Sequence, residues 1–120
     1  MSGPREQPAE ARPVDGWLPA GRVGDLSPGR VRLVTSGEDL RIALCNVDGE
    51  FFAIEDVCTH DGGSLDQGEL DGVEIECPRH GARFDVRTGQ ATLMPAVMPV
   101  QTFPVRIEGD DLYVGLTPNE

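Results

Sequence analysis

Apolar and polar residues alternate along several short segments of this chain, and turn-forming residues separate those segments. Val31 to Thr35 and Leu40 to Val47 have the alternation or apolar content of strands. Asp48-Gly49 then supplies the residues of a tight hairpin turn, and Phe51 to Ile54 continues as a third strand. This half of the chain therefore predicts antiparallel β-structure.

The second half repeats the pattern with shorter segments. Val73, Ile75 and Cys77 alternate along a short strand, whereas Met94 to Pro99 holds two prolines and predicts a loop or an edge segment. A closing hairpin is predicted from alternating apolar residues on both sides of the turn at 109–111. No segment has a long 3.6-residue period, so the pattern indicates an all-β fold with two irregular loops, at 57–66 and 78–82.

Composition supports a single small β domain. The chain has 120 residues, including 15 glycines and 10 prolines, which suits one modest core with many turns. Residues 1–15 are rich in proline, alanine and charge, so they predict a disordered tail before a domain at 16–118. Of the three cysteines, Cys45 lies within a strand and is expected to be a small buried apolar residue.

Charge narrows the range of partners. The formal net charge is −11, which disfavours binding to nucleic acid or to an anionic membrane surface. The same charge suits docking onto a basic protein, although it could serve solubility alone. An odd, small number of cysteines and the lack of a long apolar segment predict a cytoplasmic protein without a membrane anchor.

The two irregular loops hold the residues that can carry chemistry. Cys58-Thr59-His60 is followed by Cys77-Pro78-Arg79-His80 in the pattern C-x-H-x16-C-x2-H, and these are the only two histidines. Thiolates and imidazoles together indicate zinc, iron or an iron–sulfur cluster. Because each loop provides one cysteine and one histidine, the order favours a two-iron cluster with two thiolates on one iron and two imidazoles on the other.

The segments CTHDGGSL (58–65) and CPRHGARFDVRTG (77–89) resemble the two cluster-binding loops of Rieske proteins, especially the small Rieske ferredoxins of bacterial non-haem iron oxygenases. The resemblance implies an antiparallel Rieske (ISP-like) sandwich or barrel, with a cluster-binding subdomain at about 55–86 and one [2Fe–2S] cluster. Cys58 and Cys77 would ligate the buried iron, and His60 and His80 the outer iron.

The same resemblance implies an electron carrier without catalytic residues of its own. Its partners would be an NAD(P)H-dependent flavoprotein reductase and a terminal oxygenase, and the carrier is expected to be a monomer. Three further functions remain open: the small subunit of an assimilatory nitrite reductase, a stand-alone Rieske protein of iron–sulfur assembly or redox sensing, and a zinc-stabilised binding module.

Four departures from the respiratory Rieske proteins bear on the reduction potential. Gly63 and Arg79 occupy the positions of their disulfide cysteines, while Ala82 and Phe84 replace a serine and a tyrosine whose hydroxyls donate to the cluster. With fewer hydrogen-bond donors near it, the reduced state of the cluster is less stabilised. The sequence therefore predicts a potential near the bottom of the Rieske range of roughly −150 to +300 mV.

Overall fold

The computed structural model describes residues 16–36, 40–57, 64–78, 81–94 and 98–119. The predicted tail at 1–15 lies outside these ranges. Within them the structure consists of antiparallel strands and one short 3-10 helix at Val23–Asp25, and no helix has the length and apolar character needed to span a membrane. The all-β prediction is confirmed. The strands are β1 (Trp17–Arg22), β2 (Val31–Ser36), β3 (Leu40–Val47), β4 (Glu50–Glu55), β5 (Glu69–Asp71), β6 (Glu74–Glu76), β7 (Arg83–Asp85), β8 (Ala91–Leu93), β9 (Thr102–Phe103), β10 (Val105–Glu108) and β11 (Asp111–Gly115).

These strands form three sheets. The terminal sheet has the order β1-β11-β10, the central sheet β2-β3-β4-β9, and the distal sheet β5-β6-β7-β8. The predicted hairpin between β3 and β4 is present: Val47 faces Glu50, and Asp48 and Gly49 both adopt positive φ, at 52° and 94°. That conformation suits the right-handed twist of the paired strands.

The central sheet is covered on both faces because side chains alternate along β3. Ile42 and Leu44 belong to a core shared with Leu18 and Leu112 of the terminal sheet, which we call the base core. Ala43, Cys45 and Val47 point to the other face and belong to a second core with distal-sheet residues, which we call the distal core. Burial on both sides explains why this strand is apolar almost throughout.

Cys45 lies in the distal core and is fully buried, as the sequence predicts. Burial and the nearby negative charge of Asp56 raise the pKa of its thiol to about 12. A thiol with that pKa stays protonated near neutral pH and is a poor nucleophile. Its surroundings therefore support a packing role.

Candidate functional site

One of the four predicted ligands, Cys77, lies within the described residues, whereas Cys58, His60 and His80 lie outside them. Cys77 directly follows β6 and is fully buried in the distal core. Since the described ranges hold only this one of the four, no group of three metal-ligating side chains occurs within them. A buried cysteine beside a strand end suits a thiolate ligand shielded from water.

The second loop, 77–82, is closed at its base by backbone hydrogen bonds. The N–H of Cys77 donates to the carbonyl of Ala82 at 2.7 Å, and the N–H of Gly81 donates to the carbonyl of Cys77 at 3.1 Å. Gly81 adopts a φ of +78°, in the left-handed region that favours glycine. The N–H and the carbonyl of Cys77 are thus both hydrogen-bonded to other residues of the loop. These bonds fix the orientation of the Cys77 backbone and therefore the direction in which its side chain leaves it.

The first loop is closed at its base by a side chain that sequence reasoning missed, Asp56. Its carboxylate is completely buried. Oδ1 accepts hydrogen bonds from the N–H of Leu65 at 2.7 Å and from the N–H of Asp66 at 2.6 Å. On the other side, Arg41 Nη2 lies 3.1 Å from Oδ2. Asp56 at the start of the loop is therefore joined directly to residues 65 and 66 at its end.

A hydroxyl and a second carboxylate complete this cluster of polar groups. The Ser64 hydroxyl lies 3.1 Å from Asp56 Oδ2 and also contacts Asp66 Oδ1, so its single proton serves one acceptor at a time. Burial disfavours the charged form of Asp66, but hydrogen bonds from Ser64 and Gln67 and the charge of Arg41 outweigh it and lower the pKa of Asp66. The end of the first loop therefore carries negative charge at neutral pH.

The chain just after the first loop and the chain just before the second loop meet in a close backbone contact. A Cβ added to Gly68 would lie 2.0 Å from the carbonyl oxygen of Glu76, the residue before Cys77. The N–H of Gly68 in turn donates to the carbonyl of Leu65 at 2.9 Å, and Leu65 is fully buried in the same core as Cys77. Only glycine allows this approach, so the chain that follows the first loop lies directly against the residue that precedes Cys77.

Ala82 and Phe84 flank the second loop and are both fully buried in the distal core. Neither side chain carries a hydroxyl.

The outer face of the distal sheet is acidic. Glu69 faces Glu76, and Asp71 faces Glu74, across the β5–β6 pair. Like charges directly opposite each other are unfavourable. Arg83 on β7 offsets part of this repulsion, because its guanidinium lies 3.0–3.2 Å from Asp71, Glu74 and Glu76. Hydrogen bonds from Arg83 to Asp71 and Glu74 raise the pKa of this arginine, so the cation stays charged and organises the face beside the second loop.

Comparison with known proteins shows what the chain resembles. The Rieske [2Fe-2S] domain family matches residues 16–104. The chain is 46% identical over 93 residues to the ferredoxin component of biphenyl 2,3-dioxygenase from Rhodococcus jostii (strain RHA1), covering 78% of this chain and 86% of that protein. It is also 46% identical over 90 residues to the 3-phenylpropionate/cinnamic acid dioxygenase ferredoxin subunit of Escherichia coli (strain K12), covering 69% and 85%.

A solved structure agrees with these relatives. A chain in the complex of reduced oxygenase and oxidized ferredoxin of carbazole 1,9a-dioxygenase superposes with a TM-score of 0.86. The two chains are 36% identical, and the match covers 89% of this chain and 99% of that one. The likeness therefore extends over nearly the whole fold.

Proposed function

Because this chain belongs to the Rieske [2Fe-2S] family, we propose that it is the ferredoxin component of a multicomponent oxygenase. It receives one electron at a time from an NAD(P)H-dependent flavoprotein reductase and delivers it to a terminal non-haem iron oxygenase. The observation that carries this proposal is the 46% identity to a dioxygenase ferredoxin over 78% of the chain. The chain itself carries electrons and catalyses no reaction.

The ligand assignment is part of the proposal. Cys58 and Cys77 supply thiolates to the inner iron, and His60 and His80 supply imidazoles to the outer iron. The [2Fe–2S] cluster, when bound, supplies a centre that accepts and releases a single electron. The donor set fits that cofactor, because two thiolates and two imidazoles are the ligands of a mixed-ligand cluster and Cys77 is withdrawn from water.

The surroundings support a low reduction potential. Ala82 and Phe84 offer no hydroxyl to a cluster sulfur, and hydrogen bonds to the sulfurs are one of the factors that set the potential. The carboxylates at the end of the first loop and on the outer face of the distal sheet disfavour the added negative charge of reduction. A low potential suits transfer of electrons to an oxygenase.

The oxygenase substrate is set by the partner and not by this chain. Two relatives with the same 46% identity are named for oxygenases that act on different aromatic compounds. The monomeric state and the cytoplasmic location remain predictions. The identity to dioxygenase ferredoxins favours this function over that of a nitrite reductase subunit, of a protein for iron–sulfur assembly or redox sensing, and of a zinc-stabilised module.

The decisive experiment is EPR of the dithionite-reduced protein, followed by reduction with a flavoprotein reductase and NADH and by a redox titration. We expect the signal of a reduced mixed-ligand cluster and a midpoint potential below zero. Colourless, iron-free protein after anaerobic reconstitution would refute the proposal, and a midpoint well above zero would refute the low potential.

Two buried cysteines give a matched test of the ligand assignment. Cys77→Ala should abolish the signal, whereas Cys45→Ala should keep it, since Cys45 is equally buried but lies mid-strand in the core. Retention of the cluster in Cys77→Ala, or its loss in Cys45→Ala alone, would show that the ligands are wrongly assigned.

A further inference from the structure

We propose that Asp56 is a positioning residue for the first cluster-binding loop: its buried carboxylate holds the two ends of that loop together and so sets the positions from which Cys58 and His60 reach the cluster. The inference rests on the proposed ligand assignment. It concerns a side chain two residues before Cys58 that is not itself a ligand.

The side chain of Asp56 joins the two ends of the loop and also pairs with Arg41 on β3. Its Oδ1 accepts from two successive backbone N–H groups, those of Leu65 and Asp66, at 2.7 and 2.6 Å. Charge-assisted bonds to a carboxylate are about twice as strong as neutral ones. Residues 56 and 65 are thereby held in direct contact across the segment that contains both ligands of the first loop.

The central sheet does not need this carboxylate. The backbone N–H of Asp56 already donates to the carbonyl of Arg41 at 2.9 Å. The backbone N–H of Glu55 donates to the carbonyl of Gln101 at 2.8 Å. The strand before the loop is thus held on both sides by backbone bonds. The side chain of Asp56 adds the contacts to the far end of the loop, at Leu65 and Asp66, and one contact to Arg41.

Arg41 explains how the carboxylate keeps its orientation. Its guanidinium lies on β3, reaches Oδ2 at 3.1 Å, and is half exposed. Because Arg41 lies on the Oδ2 side, Oδ1 faces the two backbone donors, and the Ser64 hydroxyl lies near both oxygens, 3.1 Å from Oδ2 and 3.3 Å from Oδ1. A buried charge with these partners is stable, whereas a neutral, shorter side chain leaves two buried N–H groups without an acceptor.

The consequence is specific to the cluster. If the ends of the first loop separate, Cys58 and His60 shift relative to Cys77 in the second loop, and both the electronic structure and the retention of the cluster change. Groups outside the ligand set that orient ligands typically alter metal affinity by about 10- to 100-fold when they are removed.

The test compares Asp56→Ala and Asp56→Asn with wild type and with the control Asp85→Asn. Asp85 is a fitting control because it also accepts from a backbone N–H, at 2.8 Å, and pairs with an arginine, but it caps a turn that follows β7, beyond the closed part of the second loop at 77–82. For each purified holoprotein, the EPR g values, the midpoint potential and the rate of cluster loss to a chelator under anaerobic conditions are measured.

We expect Asp56→Ala to lose its cluster at least about tenfold faster than wild type, with shifted g values. Asp56→Asn should fall between the two, because its amide oxygen still accepts from both N–H groups. Asp85→Asn should match wild type in g values and stay within about twofold in rate.

If Asp56→Ala cannot be loaded with a cluster, Asp56→Asn decides the question by the same measurements. Unchanged g values and a rate of cluster loss equal to that of Asp85→Asn would overturn the inference. A wild-type protein without the EPR signal would instead refute the proposed function, so the two failures are distinguishable.

Discussion

The two cores predict that substitutions of similar size have different effects on the cofactor. Leu44 and Leu65 are both fully buried, but Leu44 packs in the base core and Leu65 in the distal core. At the end of the first loop, the N–H of Leu65 also donates to Asp56, and its carbonyl accepts from the N–H of Gly68. Leu44→Ala and Leu65→Ala therefore make a matched pair.

The expected size of each effect follows from what is removed. A leucine truncated to alanine loses three carbon groups, and about 0.8 kcal/mol per buried CH₂ gives roughly 2.4 kcal/mol. The cavity left behind raises the cost to about 2–5 kcal/mol, a large share of the roughly 5–15 kcal/mol that stabilises a typical domain. With a urea dependence of about 1.5 kcal/mol/M, a loss of about 3 kcal/mol lowers the unfolding midpoint by about 2 M.

The assay uses two probes in different parts of the molecule. Trp17, the only tryptophan, lies on β1 with the Arg106 guanidinium 4.4 Å from its ring, so its fluorescence reports on the terminal sheet. Visible absorbance of the cluster reports on the two loops. Both are followed during anaerobic urea titration, and EPR spectra are recorded without urea.

For Leu44→Ala we expect both probes to change together, about 2 M earlier than in wild type, with an unchanged EPR spectrum. For Leu65→Ala we expect the cluster absorbance to fall before the Trp17 signal, since the distal core opens locally, and the EPR spectrum to change. Coincident transitions with an unaltered spectrum in Leu65→Ala would refute the reasoning, as would a Leu44→Ala midpoint within about 0.5 M of wild type.

Two other predictions concern single contacts. Gly68→Ala should destabilise the protein by about 1–3 kcal/mol, because the new Cβ meets the carbonyl oxygen of Glu76. The control Gly24→Ala should be neutral, because a Cβ at that position has open space around it. Equal melting temperatures of the two variants would contradict this prediction. A hydrogen bond from Arg87 lowers the pKa of Asp85, so the stability it contributes is present above the unfolded pKa of about 3.9 and is lost as the pH falls through the folded pKa. The difference in melting temperature between wild type and Asp85→Asn should close in that acid range, and a difference independent of pH would show that the charge is not its cause.

The sequence was most informative where structure is local. The β3–β4 hairpin could be predicted because its strands are adjacent in the chain and its turn residues tolerate positive φ. The same reasoning missed β1, whose partner β11 lies at the other end of the chain. It also missed β5, β7, β8 and β9, whose two or three residues are too few to show a period of two. The equally short β6 was predicted because the alternation continues beyond it, to Val73 and Cys77.

The candidate ligands could be found from sequence because cysteine and histidine are scarce here and their spacing is distinctive. Asp56 could not be found in that way. It is one of 21 acidic residues, and its role depends on contacts with residues 64–66, which only the fold brings next to it. A buried carboxylate directly after an apolar strand is the signal that could have drawn attention to it.

The contacts around the two loops suggest that they act as one unit. Leu65 and Cys77 share the distal core, and Gly68 brings the chain after the first loop against the carbonyl of Glu76. We therefore expect a displacement of the chain at Gly68 to be felt at Glu76, the residue before Cys77. Under the proposed assignment one cluster takes two ligands from each loop, and its geometry is then expected to depend on this contact as well as on the ligands. Substitutions at Asp56 and at Gly68 should accordingly perturb the same EPR signal, although neither residue supplies a ligand.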